Sequence, residues 1–228
     1  MDVYLIGYIL IGIGILISVG ASILVKTIYK KYSQYTTSKK LSGFDVARKI
    51  LDANGLRDVH IVEVRGTLTD HYDPSRKVVR LSTSNFHEES IASVAVAAHE
   101  CGHAIQDKTG YIFMRIRSFL VPIVNLVSRA GYFAILIGVI FGYSDVIYLA
   151  IGMELAVLLF HLVTLPVEFN ASRRALKELE SLNLVSSSEH SGAHNVLFAA
   201  ALTYVASLVT VILQLLRLLL IAQGRRRD

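Results

Sequence analysis

Residues 3–25 read Val3-Tyr4-Leu5-Ile6-Gly7-Tyr8-Ile9-Leu10-Ile11-Gly12-Ile13-Gly14-Ile15-Leu16-Ile17-Ser18-Val19-Gly20-Ala21-Ser22-Ile23-Leu24-Val25, without a charged side chain, and the run stops at Lys26. A helix needs about 20 predominantly apolar residues to cross a bilayer, so this run is long enough to do so. It is too long for the apolar region of a signal peptide and has no basic residue ahead of it, which predicts an uncleaved transmembrane anchor. Two later runs repeat the pattern. Asp145–Pro166 is interrupted only by Glu154 and His161, and Val196–Ala222 carries Gln214 and Arg217. A fourth stretch, Phe119–Phe141, contains Asn125 and Arg129. It admits two readings, one tilted span or an interfacial piece followed by a short one. The whole 228-residue chain is 53% apolar with a mean hydropathy of +0.51, above that of a typical soluble domain, so much of it belongs in lipid.

Between the first run and Phe119 lies a polar, mixed-charge region. At about 90 residues it can bury only a modest core, so it is expected to pack against the membrane helices and the segment 168–195. Alternation over His60–Val64 and the string Lys77–Ser82, after a turn at Tyr72-Asp73-Pro74, predict short strands in a hairpin or small sheet. Residues from about Glu88 to Lys108 predict a helix that is opened by acidic residues and filled with alanine, with Gly110 as its cap. A further helix is expected from about Glu168 to Leu182, with Pro166 just ahead of it. The fold class is therefore mainly α, a polytopic membrane protein with about four transmembrane helices and a small α+β domain. Its expected parts are a transmembrane anchor (3–25), a water-facing domain (26–118) and a transmembrane hairpin (119–167), then a polar helix (168–195) and a last transmembrane helix (196–222).

The formal charge of +5 points to a membrane surface rather than to nucleic acid, because no basic stripe interleaved with aromatics occurs in the polar region. Lys26, Lys30, Lys31, Lys39 and Lys40 follow the first span with no acidic residue among them, the pattern of a cytoplasmic flank. A single cysteine, Cys101, excludes an intramolecular disulfide framework.

The predicted 88–108 helix contains Ala98-His99-Glu100-Cys101-Gly102-His103. Histidines four apart share one helix face and can direct two imidazoles at one ion. Glu100 between them is placed to take a proton from a water whose pKa zinc lowers to about 7. Cys101 lies about 200° round the helix from His99 and points away. A catalytic zinc needs a third protein ligand. The extended motif with a histidine six residues past His103 is absent, since that position is Thr109 and Gln106 stands where its glycine would be. Glu154, His161 and Glu168, spaced by seven, are the candidates. Depth favours Glu168, which emerges beside a polar helix while the other two lie well inside the apolar run. Glu154 and His161 are then expected to find polar partners such as Gln214 or Arg217.

Four strings carry a resemblance: Leu68-Thr69-Asp70-His71-Tyr72-Asp73-Pro74, Val96–Gln106 around the histidines, Leu165–Ala175 around Glu168, and Ala200–Ala206. The chain resembles the YugP-type neutral zinc metallopeptidases, a family of membrane proteins, nearly end to end. More distantly it is similar to the HtpX-type membrane zinc proteases, which also set a transmembrane hairpin between a histidine helix and a glutamate ligand. The resemblance implies a zincin-like domain, one zinc ion on His99, His103 and Glu168, Glu100 as general base, and a polypeptide substrate, membrane proteins included. In the HtpX pattern Glu-x-x-Ala-Asp the aspartate orients a ligand histidine, and here Ser172 replaces it. Asn170 and Asp73 are alternative orienters. Val78–Ser82 is the expected edge for an extended substrate, and His71, Tyr72, His194 and Tyr204 are the conceivable oxyanion donors.

A hairpin between His103 and Glu168 returns both to one side of the bilayer. Together with the Lys cluster, Arg173, Arg174 and Lys177, this predicts a plasma-membrane protein with a cytoplasmic active site, although four crossings leave Arg225, Arg226 and Arg227 outside, against the rule. Two other functions fit parts of the pattern. An intramembrane zinc protease would take an aspartate from a later span, and none lies within a span, since Asp145 is at a loop. A non-catalytic zinc-binding scaffold would close its site with a fourth protein ligand, and none is apparent. Nothing in the sequence speaks to oligomeric state.

Overall fold

In the computed structural model, which describes residues 3–141 and 145–224, the opening apolar run forms helix α1 (Val3–Tyr32) and continues into the lysine-bearing segment. The later apolar stretches form α5 (Ile112–Ile140), α6 (Val146–Ser181) and α7 (Ser187–Gly224). Helices α1, α6 and α7 are each long and apolar enough to cross a membrane. The ambiguous Phe119–Phe141 segment falls, but for its last residue, in α5, one helix of 29 residues that accommodates Pro122. The chain is thus a mainly helical integral membrane protein. The basic tail at Arg225, Arg226 and Arg227 lies outside the described residues.

The chain divides into two units. One holds the described residues of Met1–Ser22, Arg115–Leu165 and Thr203–Asp228. Here α1 meets α7 at Gly14, where Thr210 Oγ1 bonds the Gly14 carbonyl at 3.2 Å and Ser18 Oγ at 3.0 Å. Leu5, Tyr8, Leu16, Phe133 and Leu159 are left exposed, as lipid-facing residues should be. His161 Nδ1 turns back to its own helix at Val157 O (2.9 Å), and Glu154 Oε1 makes no hydrogen bond among the described residues.

The other unit, Ile23–Met114 and Pro166–Leu202, contains the sheet. It has three strands, β1 (His60–Val64), β2 (His71–Asp73) and β3 (Val78–Ser82), in the order β1-β3-β2. β1 pairs parallel with β3 (His60 opposite Val78) and β2 pairs antiparallel with it (His71 opposite Arg80), so β1 and β3 are not a hairpin. The stretch expected as a turn at Tyr72-Asp73 is itself strand. Its turn comes afterwards, where Asp73 Oδ1 accepts from Ser75 N and Arg76 N.

Helix α2 (Gly43–Ala53) was not foreseen, although Ser42 and Asp45 form a capping box that marks its start. A single turn, α3 (Thr83–His87), leads to α4 (Ile91–Lys108), capped by Ser90 through Ser93 N. Between Ile91 and Gln106 only Val96 and His99 of α4 are not buried. A helix buried all round is a core helix, and its alanines, Ala92, Ala95, Ala97, Ala98 and Ala104, let neighbouring backbones come close. Val46, Ile50 and Leu51 of α2, Val79 and Leu81 of β3, and Val167, Ala175 and Leu179 of α6 complete the core around it. The helix expected from Glu168 is the continuation of α6 through Pro166, not a separate element.

Candidate metal centre

Helix α4 presents His99 and His103 one turn apart, and α6 presents Glu168 to both. His99 Nε2 lies 3.2 Å and His103 Nε2 3.6 Å from the same oxygen, Glu168 Oε2. Ligand atoms of the three residues all lie within 4.8 Å of one another. The set fits zinc in chemistry and in spacing. Zinc takes imidazole nitrogen and carboxylate oxygen at about 2.0–2.2 Å in a tetrahedron, which sets neighbouring donors roughly 3.4 Å apart. Glu168 is 2% and His103 9% exposed, while His99, at 15%, forms the accessible side of the site. Of the three sequence candidates Glu168 joins the histidines, and His161 and Glu154 are not part of the cluster.

Each histidine is held from behind. His99 Nδ1 is hydrogen-bonded to Ser172 Oγ at 3.2 Å, so the residue standing in place of the expected aspartate performs the orienting itself. His103 Nδ1 donates to Gln106 Oε1 at 3.0 Å, and Gln106 Nε2 in turn donates to Val167 O (2.7 Å) and Asn170 Oδ1 (3.0 Å). Asn170 thus acts one step removed, through Gln106. Asp73 takes no part, being engaged by Ser75 and Arg76 in the turn after β2. Fully buried Gln106 ties α4 to α6 and fixes His103 with one amide, a role that no local sequence signal marks. A serine hydroxyl orients an imidazole more weakly than a carboxylate does. Ser172→Ala is expected to lower zinc affinity by roughly tenfold, measured by competition with a chromophoric chelator, while leaving the fold intact.

Glu100 is buried on the same helix turn. Burial, with the nearby charges of Glu168 and Asp70, pushes its carboxyl from 4.5 up to about 7, although His99 and the backbone N–H of Tyr72 pull the other way. A carboxyl in that range is suited to exchange protons near neutrality. The Tyr72 contact makes β2 the strand beside Glu100. Its position is pinned by Asp70, whose carboxylate accepts from Ser82 N (2.7 Å) and Asn85 Nδ2 (2.9 Å).

The conceivable oxyanion donors separate in the structure. Tyr72 donates its hydroxyl to Asp107 Oδ2 at 2.7 Å, and burial beside that carboxylate holds the phenol protonated. Tyr204 belongs to the other unit. His71 is exposed, with Nδ1 on Thr69 O at 2.9 Å, and His194 is exposed and stacked on Phe198. The edge expected at Val78–Ser82 is corrected as well. β3 is the central strand, bonded on both sides, and the edge next to Glu100 is β2. Cys101 points away from the donors, as its position on the helix requires, with Sγ 3.6 Å from Ala47 O.

Comparison with known proteins identifies the family. The family described as "Putative neutral zinc metallopeptidase" matches residues 7–223. The "Putative membrane protease YugP" of Bacillus subtilis (strain 168) is 43% identical over 212 residues, covering 93% of this chain and 94% of that protein. No solved structure matches. With the match running almost from end to end, and a two-histidine, one-glutamate cluster of the kind zinc takes, the chain belongs to the family so described.

Proposed function

We propose that the protein is a membrane-bound zinc metalloendopeptidase that hydrolyses peptide bonds at the membrane surface, with His99, His103 and Glu168 as metal ligands and Glu100 as general base. The observation that carries this reading is the convergence of three donors from α4 and α6 with a buried carboxyl, raised to about 7, beside them. Glu168 follows Val146 by about 22 residues of one helix, or about 33 Å of rise, which is about the thickness of the hydrocarbon core. A ligand at that distance along the helix belongs at the bilayer surface.

Zinc on these ligands would supply a Lewis acid and would lower the pKa of a bound water to about 7. Glu100 accepts a proton from the attacking water as the new carbon–oxygen bond forms, and delivers it to the leaving amine as the carbon–nitrogen bond breaks. Ser172 and Gln106 keep both imidazoles aimed with Nε2 toward Glu168. An extended peptide can pair along His71–Asp73, the sheet edge beside Glu100.

The test is metal removal and return. Purified protein is expected to hold one zinc per chain and to cleave casein or an unfolded membrane protein. Treatment with 1,10-phenanthroline should abolish cleavage, and added zinc should restore it. Cleavage that survives stripping of the metal would overturn the proposal.

A further inference from the structure

Behind the accessible edge of the metal centre lies a cavity of about 250 Å³ between the polar parts of α6 and α7. Its floor is Ser172, Leu176, Leu197 and Ala201, and Phe169 and Phe198 stand at its rim. On α6 the lining residues recur at 169, 172, 173 and 176, and on α7 at 194, 197, 198 and 201, so each helix contributes one continuous face. The remaining lining groups, Arg173 and His194, are exposed at the mouth.

Two observations join this cavity to the chemistry. Ser172 is a wall of the cavity and is hydrogen-bonded to His99. His99 is also the most exposed of the three donors, so the accessible side of the site is the imidazole that the cavity wall holds through Ser172. We propose that this α6–α7 cavity is a specificity pocket that takes one apolar side chain, of leucine or phenylalanine size, from a residue flanking the scissile bond. The proposal rests on the peptidase reading above. A volume somewhat below the roughly 300–1,000 Å³ of sites for drug-sized ligands suits one side chain rather than a whole small molecule. The floor offers a substrate no charge, and Arg173 and His194 at the mouth are placed to donate hydrogen bonds to the substrate's backbone carbonyls.

The experiment uses the full-length, zinc-loaded protein in detergent, with casein cut sites mapped by mass spectrometry. It adds fluorescein-labelled decapeptides, varied at one position among Leu, Phe, Gly, Asp and Lys, whose binding is read by anisotropy on the Glu100→Gln protein. Cut sites should show Leu or Phe on one consistent side of the bond. The Leu decapeptide should bind at least about tenfold more tightly than the Gly one. Ala201→Trp, which fills the floor, should erase that ratio while zinc stays at one per chain. Phe198→Glu, at a half-exposed rim position, should shift preference from Leu toward Lys, and it decides the matter if Ala201→Trp fails to fold. If the binding ratio appears and the variants change it, but the wild type cleaves nothing, the pocket stands and the peptidase reading fails. If the wild type cleaves with a preference that neither variant moves, the pocket assignment is overturned and the cavity is left to a lipid chain.

Discussion

Glu100→Gln should keep its zinc and lose peptide hydrolysis by about 10³-fold, within the range that general acid–base catalysis contributes. The amide has nearly the shape of the carboxyl and leaves untouched the three proposed metal ligands, His99, His103 and Glu168. What it cannot do is accept a proton from water and pass it on. The substitution also has a signature independent of activity. In the metal-free protein the Glu100 carboxyl sits at about 7 against an ordinary 4.5, because it is buried near Glu168 and Asp70. The folded state therefore retains a proton that the unfolded state has already released. Its contribution to stability is fully present below about pH 4.5, falls as pH rises toward about 7 and is flat above that, a loss on the order of 3 kcal/mol. Chemical denaturation of the metal-free wild type across pH 4.5–8 should show this decline, and Glu100→Gln should not. Full hydrolytic activity in zinc-loaded Glu100→Gln would remove Glu100 from the mechanism.

Much of this site was legible because its logic is local. Two histidines four apart and a glutamate between them are fixed by helix geometry, and the apolar runs fix which segments lie in lipid. Glu168 came within reach because burial depth can be read along a single apolar run. The parts that were missed depend on contacts between segments distant in sequence. That β3 is central and β2 the edge is decided by a parallel pairing of His60 with Val78 across an intervening strand, which alternation of side chains does not encode. The replacement of an expected aspartate by Ser172 looked like a gap, because a serine has weak orienting power in isolation. The gap closes only when α6 lies close enough to α4 for its hydroxyl to reach His99. Gln106 shows the same limit. Its amide satisfies His103, Val167 and Asn170 at once, a role invisible until two helices are in contact.

Gly102→Ala tests that contact directly. A glycine inside a helix costs about 1 kcal/mol relative to alanine, so its presence between Cys101 and His103 calls for a packing reason. A Cβ on Gly102 would lie 2.5 Å from the carbonyl oxygen of Ala171 and 3.2 Å from its Cα. Both are backbone atoms of α6, with no flexible side chain to yield. The two helices can come this close only where α4 has no side chain, and Ala171 stands between Glu168 and Ser172, the two residues of α6 that engage His99. To admit one methyl group α4 and α6 must part, which draws the histidines from Glu168 and His99 from Ser172 together. The fold should lose about 1–3 kcal/mol from overpacking. The site should lose more in proportion, since a displacement of about 1 Å can cost 10²-fold in a positioned reaction. The expected result is a protein that still folds, has a lower denaturation midpoint, binds zinc at least about tenfold more weakly and hydrolyses casein about 10²-fold more slowly. Because the substitution replaces no ligand and no proton carrier, such a loss would trace the activity to the distance between two helix backbones. Wild-type zinc affinity and activity in Gly102→Ala would show that the close approach of α4 and α6 does not set the geometry of the site.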